Sequence, residues 1–119
     1  MAMSNEVVLC VSNAYQKKFY LNENFNGLPQ SIRDELKIMC VIYTEDIGGI
    51  LELVYDADGS LEFRTSCEEG DFYYDEIGSV LKIKQLRSEK RELLEALETY
   101  YKVLYLGEGL EALDEEENE

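Results

Sequence analysis

The sequence contains no histidine and only one proline, and its three cysteines, Cys10, Cys40 and Cys67, form no Cys-x-x-Cys pair. Without histidine the commonest general base is missing, so any catalysis has to rest on carboxylates, lysine, tyrosine or a thiol. The same lack removes the usual companions of cysteine in a zinc set, and three widely spaced thiols do not make one alone. No stretch approaches the ~18 apolar residues of a membrane helix, and residues 1–14 show no basic start followed by a long apolar run, so neither a span nor a leader is expected. Bases are scarce too: 11 Lys and Arg stand against 26 Asp and Glu, for a net charge of −15. A field of that sign repels a phosphate backbone, whose binding depends on cationic side chains displacing counterions, and direct nucleic-acid binding is not expected. Odd, scattered thiols suit a cytoplasmic protein with reduced cysteines. There is no glycine-rich phosphate loop, no nucleophile elbow and no internal repeat, so no cofactor, metal or catalytic residue is assigned.

What is present is enough for a folded domain. The 119 residues are 45% apolar and 31% charged, with nine tyrosines and four phenylalanines, and a chain of this size buries roughly 65% of its unfolded surface. The expected class is α+β: an antiparallel sheet of about four strands, built from two hairpins, with one helix from the first half and C-terminal helices packed against it. Residues 1–106 form this single domain, and 107–119 are expected to be a disordered acidic tail with little to bury.

Residues 7–12 alternate as a strand, Asn13 and Ala14 turn the chain, and residues 16–21 return with Phe19 and Leu21 on one side. Asn22 to Gly27 reads as a polar loop. Pro29 then suits the first position of a helix, where the missing N–H costs nothing. Leu28, Ile32, Leu36, Met39 and Tyr43 fall on one helical face, and Gly48 and Gly49 end it. Ile50 to Tyr55 and Ser60 to Thr65 form the second hairpin around Asp56-Ala57-Asp58-Gly59, which lacks the later ligands of a calcium loop.

From Asp71 the pattern is helical again, with a phase shift. Tyr73, Ile77, Val80 and Leu81 share one face, whereas Leu86, Leu93, Leu97, Tyr100 and Leu104 share another. A break near Arg87 and Ser88 reconciles them, with Ser88 as N-cap and Glu89 and Glu92 in the first turn. The alternation of Leu81-Lys82-Ile83-Lys84 leaves a strand open as an alternative there. The last helix, about five turns long, ends at Gly107 and Gly109 and needs burial of Leu86, Leu93, Leu97 and Leu104 to hold it.

Three groups of residues have chemistry worth following. Glu68, Glu69, Asp71, Asp75 and Glu76 surround Phe72, Tyr73 and Tyr74, which suits either a helix start enriched in acids, a surface for a basic partner, or oxygen ligands for a divalent cation. Lys82, Lys84, Arg87, Lys90 and Arg91 gather nearly half of the bases, with Lys84, Arg87 and Arg91 on one face if the helix continues; such a patch suits solvent, the acidic tail, the acids of a second copy or a phosphate-bearing ligand. Tyr100, Tyr101 and Tyr105 crowd the end of the last helix, as core or as rim. Cys10 and Cys40 read as core thiols, and Cys67 sits beside Glu68 and Glu69, which disfavour its thiolate.

The strings LPQSIRDELKIMCVIYTEDIGGIL (Leu28 to Leu51) and DEIGSVLKIKQLRSEKRELLEALETYY (Asp75 to Tyr101) resemble those of an uncharacterised family of small acidic proteins from anaerobic Gram-positive bacteria. The resemblance runs from about Val7 to Gly107 and implies a bacterial, cytoplasmic protein. It carries no activity, ligand or catalytic residue over to these positions.

The function expected is therefore a protein-interaction or regulatory module. Its candidate partner-binding residues are Asp71, Phe72, Tyr73, Tyr74, Asp75, Glu76, Lys84, Arg87, Arg91, Tyr101 and Tyr105, and its candidate partners are a second copy, through the last helix or a sheet edge, or a basic protein. Two alternatives stand beside it. One is a small-molecule or cation-binding protein, or a carboxylate enzyme, using Asp71, Asp75, Glu76 and Lys82 or Lys84. The other is an acidic mimic of nucleic acid, which requires the acids to line one face.

Overall fold

A computed structural model describes residues 5–107. Four strands, β1 (Val7–Asn13), β2 (Lys18–Leu21), β3 (Ile50–Tyr55) and β4 (Leu61–Ser66), form one antiparallel sheet in the order β2-β1-β3-β4. Three helices, α1 (Gln30–Ile47), α2 (Glu76–Glu89) and α3 (Arg91–Leu104), complete the α+β fold. The expected tail lies outside the described residues, Gly107 apart.

The two hairpins join through β1 and β3, where Cys10 faces Leu53 and Ser12 faces Leu51, with a bulge between Val8 and Cys10. Period-two alternation then sorts the sheet. Cys10, Ser12, Leu51, Leu53 and Tyr55 are fully or almost fully buried on the helix side, whereas Val11, Tyr20, Glu52 and Arg64, paired in register, occupy the other face. There Arg64 holds both Glu6 and Glu62.

The helix α1 buries Leu36, Met39, Cys40, Tyr43, Thr44 and Ile47; of the expected stripe, Leu36, Met39 and Tyr43 are among them, Ile32 is only partly buried and Leu28 is buried ahead of the helix. Pro29 stands one position earlier than expected, as N-cap with extended ψ of 145°, and its carbonyl accepts from the N–H groups of Ile32 and Arg33. At the other end Gly49 is required. Its φ is 70°, and a Cβ there would lie 2.5 Å from the carbonyl oxygen of Ser66 and 2.7 Å from the Tyr74 ring.

The segment read as a polar loop contains a single 3-10 turn, Glu23–Phe25, capped by the Asn22 side chain. Its Phe25 is completely buried. The ring stacks 5.6 Å from that of Tyr55, which lies 4.2 Å from Tyr101, which lies 5.1 Å from Tyr105. Tyr55 also donates to the carbonyl of Leu97 at 2.7 Å, so the aromatic cluster ties β3 to α3. Burial pushes its phenol far above the usual tyrosine range.

The C-terminal helices differ from expectation in three ways. First, α2 starts at Glu76, because the Asp75 carboxylate caps it by accepting from Gly78 N–H at 2.8 Å; Tyr73 therefore precedes the helix. Second, Ser88 lies inside α2, in which Leu81-Lys82-Ile83-Lys84 is helical as expected and not the alternative strand. The break falls at Lys90, whose ψ of 24° leaves the helical range. Third, α3 has 14 residues rather than five turns, and Leu104 at its end is 58% exposed. Leu86 belongs to α2 and is buried with Leu93, Leu94 and Leu97 of α3.

Candidate functional site

The acidic aromatic segment between β4 and α2 is folded by its own side chains. The Tyr15 hydroxyl donates to the Asp71 carboxylate at 2.5 Å and accepts from Glu68 N–H at 2.9 Å, and Asp71 also accepts from Tyr73 N–H at 3.0 Å. These bonds stabilise the charged carboxylate, so Asp71 sits below its ordinary pKa, through the Tyr15 hydroxyl first and the backbone N–H groups after it. Tyr15 is correspondingly raised by the same bond. Tyr74 turns inward, donating to Ser79 at 3.3 Å. Asp71, Tyr74 and Asp75 thus hold the segment in shape.

With those three turned to structure, Phe72 and Tyr73 are left outside. Ile77, Val80 and Leu81 of α2 are likewise outside, and the five are 95%, 96%, 76%, 68% and 62% exposed. Positions 77, 80, 81 and 84 follow helical spacing, so Lys84 continues the same outward stripe. The buried side of α2 is formed instead by Ser79 and Leu86, with Ile83 packed against the core.

The basic group does not stay together. Lys82 pairs with Asp46 at 3.4 Å and Lys90 with Glu35 at 3.3 Å, so two of its members fasten α2 and the helix junction to α1. Arg87 lies over the Phe63 ring, 4.9 Å from its centroid, and reaches the Leu61 carbonyl at 3.4 Å. Lys84 and Arg91 remain exposed, on α2 and α3 respectively. Tyr101 is buried in the aromatic cluster, and Tyr105 is half-exposed with its hydroxyl donating to the Asn24 carbonyl at 2.6 Å.

Among the described residues no group of three or more Cys, Asp or Glu is placed to hold a metal ion, and no helix is long and apolar enough to cross a membrane. A family model, described as a family of unknown function (DUF6145), matches residues 6–109. The chain belongs to this family. No curated protein and no solved structure matches it. Of the residues singled out from sequence, the structure leaves Phe72 and Tyr73 exposed just ahead of the outward stripe of Ile77, Val80, Leu81 and Lys84. Ile77, Val80 and Leu81 were legible as a helical face, but only the packing shows that the face points away from the core.

Proposed function

We propose that the chain is a protein-interaction module of the bacterial cytoplasm and that α2 is its docking element, taking a second copy of the same chain. The exposed run Phe72, Tyr73, Ile77, Val80 and Leu81 carries the proposal. Burying a side chain of this size contributes about 1.5–3 kcal/mol, and large exposed apolar side chains gathered in one segment suit an interaction site.

The charges on either side select the occupant. Glu68, Glu69, Asp75 and Glu76 lie before or at the start of α2, and Lys84 lies on its outward stripe toward the other end, where Arg91 follows among Glu89 and Glu92. Two such helices packed antiparallel about a two-fold axis near Leu81 set Glu76 of each toward Lys84 of the other, an isologous arrangement that satisfies both at once. Exposed pairs of this kind contribute little energy each but fix orientation and oppose the parallel alternative. Cytoplasmic residence is supported by Cys10 and Cys40, buried with their sulfurs 3.8 Å apart and both free thiols.

Sedimentation velocity from about 1 µM to about 1 mM spans association free energies of roughly 8 to 4 kcal/mol. The wild-type chain is expected to pass from monomer to dimer in that range, with a weaker dimer at high salt. Leu81→Asp should remain monomeric with an unchanged melting temperature, since Leu81 is on the surface. A wild-type chain monomeric throughout, or a Leu81→Asp variant that dimerises as well as wild type, overturns the α2 pairing.

A further inference from the structure

On the flank of α1 opposite its ion pairs with α2 and the helix junction lies a groove of about 720 Å³, closed on its other side by the β1–β2 hairpin. The hairpin loop is held over the end of α1 by Ala14 N–H donating to the Gly49 carbonyl at 2.9 Å, and Asn13 organises that loop by accepting from Tyr15 and Gln16 N–H. Ser12 and Thr44 line it, with hydroxyls 2.8 Å apart and almost fully buried, and Phe19 and Val41 contribute apolar wall. Lys17, Lys18 and Lys37 stand among its lining residues, with Glu45 the one carboxylate among them.

Three of the 11 Lys and Arg of a chain with net charge −15 thus line one opening, although Lys18, in phase with Tyr20 on β2, turns its side chain to the outer face of the sheet. The ion pairs of the described residues engage Arg64, Lys82 and Lys90 instead. Lys17, moreover, is the only described non-glycine residue with positive φ, at 53°. A glycine takes that conformation without the steric cost a Cβ brings, so the position carries a cationic side chain where backbone geometry alone favours none.

We infer that this groove binds a small organic anion: an anionic head held by Lys17 and Lys37, and a flat apolar body between Phe19 and Val41. The volume is that of ordinary small-ligand sites. Ligand size follows from electrostatics. At physiological salt a charge is screened beyond about 8 Å, so a compact anion senses Lys17 and Lys37, whereas a long polyanion also meets the acidic remainder of the surface.

The test follows backbone amide shifts during titration of the full chain with 1-naphthyl phosphate, with 1-naphthoate, and with neutral 1-naphthol. At least one of the two anions should shift Ala14, Val41, Thr44 and Gly48 with a dissociation constant of about 0.1–1 mM, and the stronger one identifies a phosphate or a carboxylate head. The neutral probe should bind about tenfold more weakly. Lys17→Gly should weaken the anion severalfold while its melting temperature stays equal or rises, because glycine suits the backbone there; Lys37→Gln should weaken it as well. No shift at these amides with either anion, equal binding of the neutral probe, or full affinity in both lysine variants overturns the site. None of these results bears on the pairing of α2.

Discussion

The hydroxyl oxygens of Tyr43 on α1 and Ser79 on α2 lie 2.6 Å apart in the interior, and the Tyr74 hydroxyl joins them at 3.3 Å from Ser79. A small side chain at 79 lets the two helices approach, and the three hydroxyls satisfy one another where no solvent reaches Tyr43 or Ser79 freely. Among the described residues no buried side-chain nitrogen or oxygen lacks a partner.

This junction has a pH signature. Burial pushes the Tyr43 phenol from 10 up to about 12, and the Tyr55 phenol higher still. In the unfolded chain both ionise near pH 10, so above that value the unfolded state has lost protons that the folded state retains. The stabilisation is complete below pH 10 and falls as pH rises toward 12 and beyond. Urea midpoints measured from pH 8 to pH 12 should show the decline, and Tyr43→Phe should make it shallower while lowering stability at neutral pH by about 1 kcal/mol. A wild-type midpoint that stays level across the alkaline range contradicts the buried placement of both phenols.

Phe25 is expected to be one of the costliest side chains to truncate. It lies completely buried against Tyr55, Tyr101 and Tyr105, and Phe→Ala in such a site costs about 3–5 kcal/mol. Because that approaches the whole stability of a small domain, Phe25→Leu, expected to cost about 1–2 kcal/mol, is the companion variant. Near-ultraviolet circular dichroism should weaken in both, since the tyrosine rings lose their fixed neighbour. A loss below about 0.5 kcal/mol in Phe25→Ala, the range of surface substitutions, would show that the segment is the loop its sequence suggests.

Thiol reactivity separates the three cysteines. Cys67 is exposed, while Cys10 and Cys40 are fully buried, and contact with the Cys40 thiol together with burial holds the Cys10 thiol well above its ordinary pKa. An aromatic disulfide reagent at neutral pH should titrate one thiol in the native protein and all three in denaturant. Three fast equivalents without denaturant would mean that β1 and α1 are not packed as described.

The sequence by itself determined the elements whose signals are local. Leu51, Leu53 and Tyr55 alternate because a pleated strand sends successive side chains to opposite faces, and Leu36, Met39 and Tyr43 recur at helical spacing because one side of α1 meets the sheet. The acidic balance and the lack of histidine likewise fixed what chemistry was open. Tertiary structure decided the rest, because burial depends on what comes to lie against a residue. Phe25 looked like part of a polar loop until Tyr55 and Tyr101, 30 and 76 residues later, enclosed it. The apolar phase shift between Ile77 and Leu93 looked like a kink near Ser88; in the fold it reflects an α2 with apolar side chains on two faces, one toward α1 and one toward solvent, followed by a break at Lys90. Lys17 and Lys37 stand 20 positions apart with nothing in their local sequence to associate them, and only the packing of the first hairpin on α1 places both at one groove.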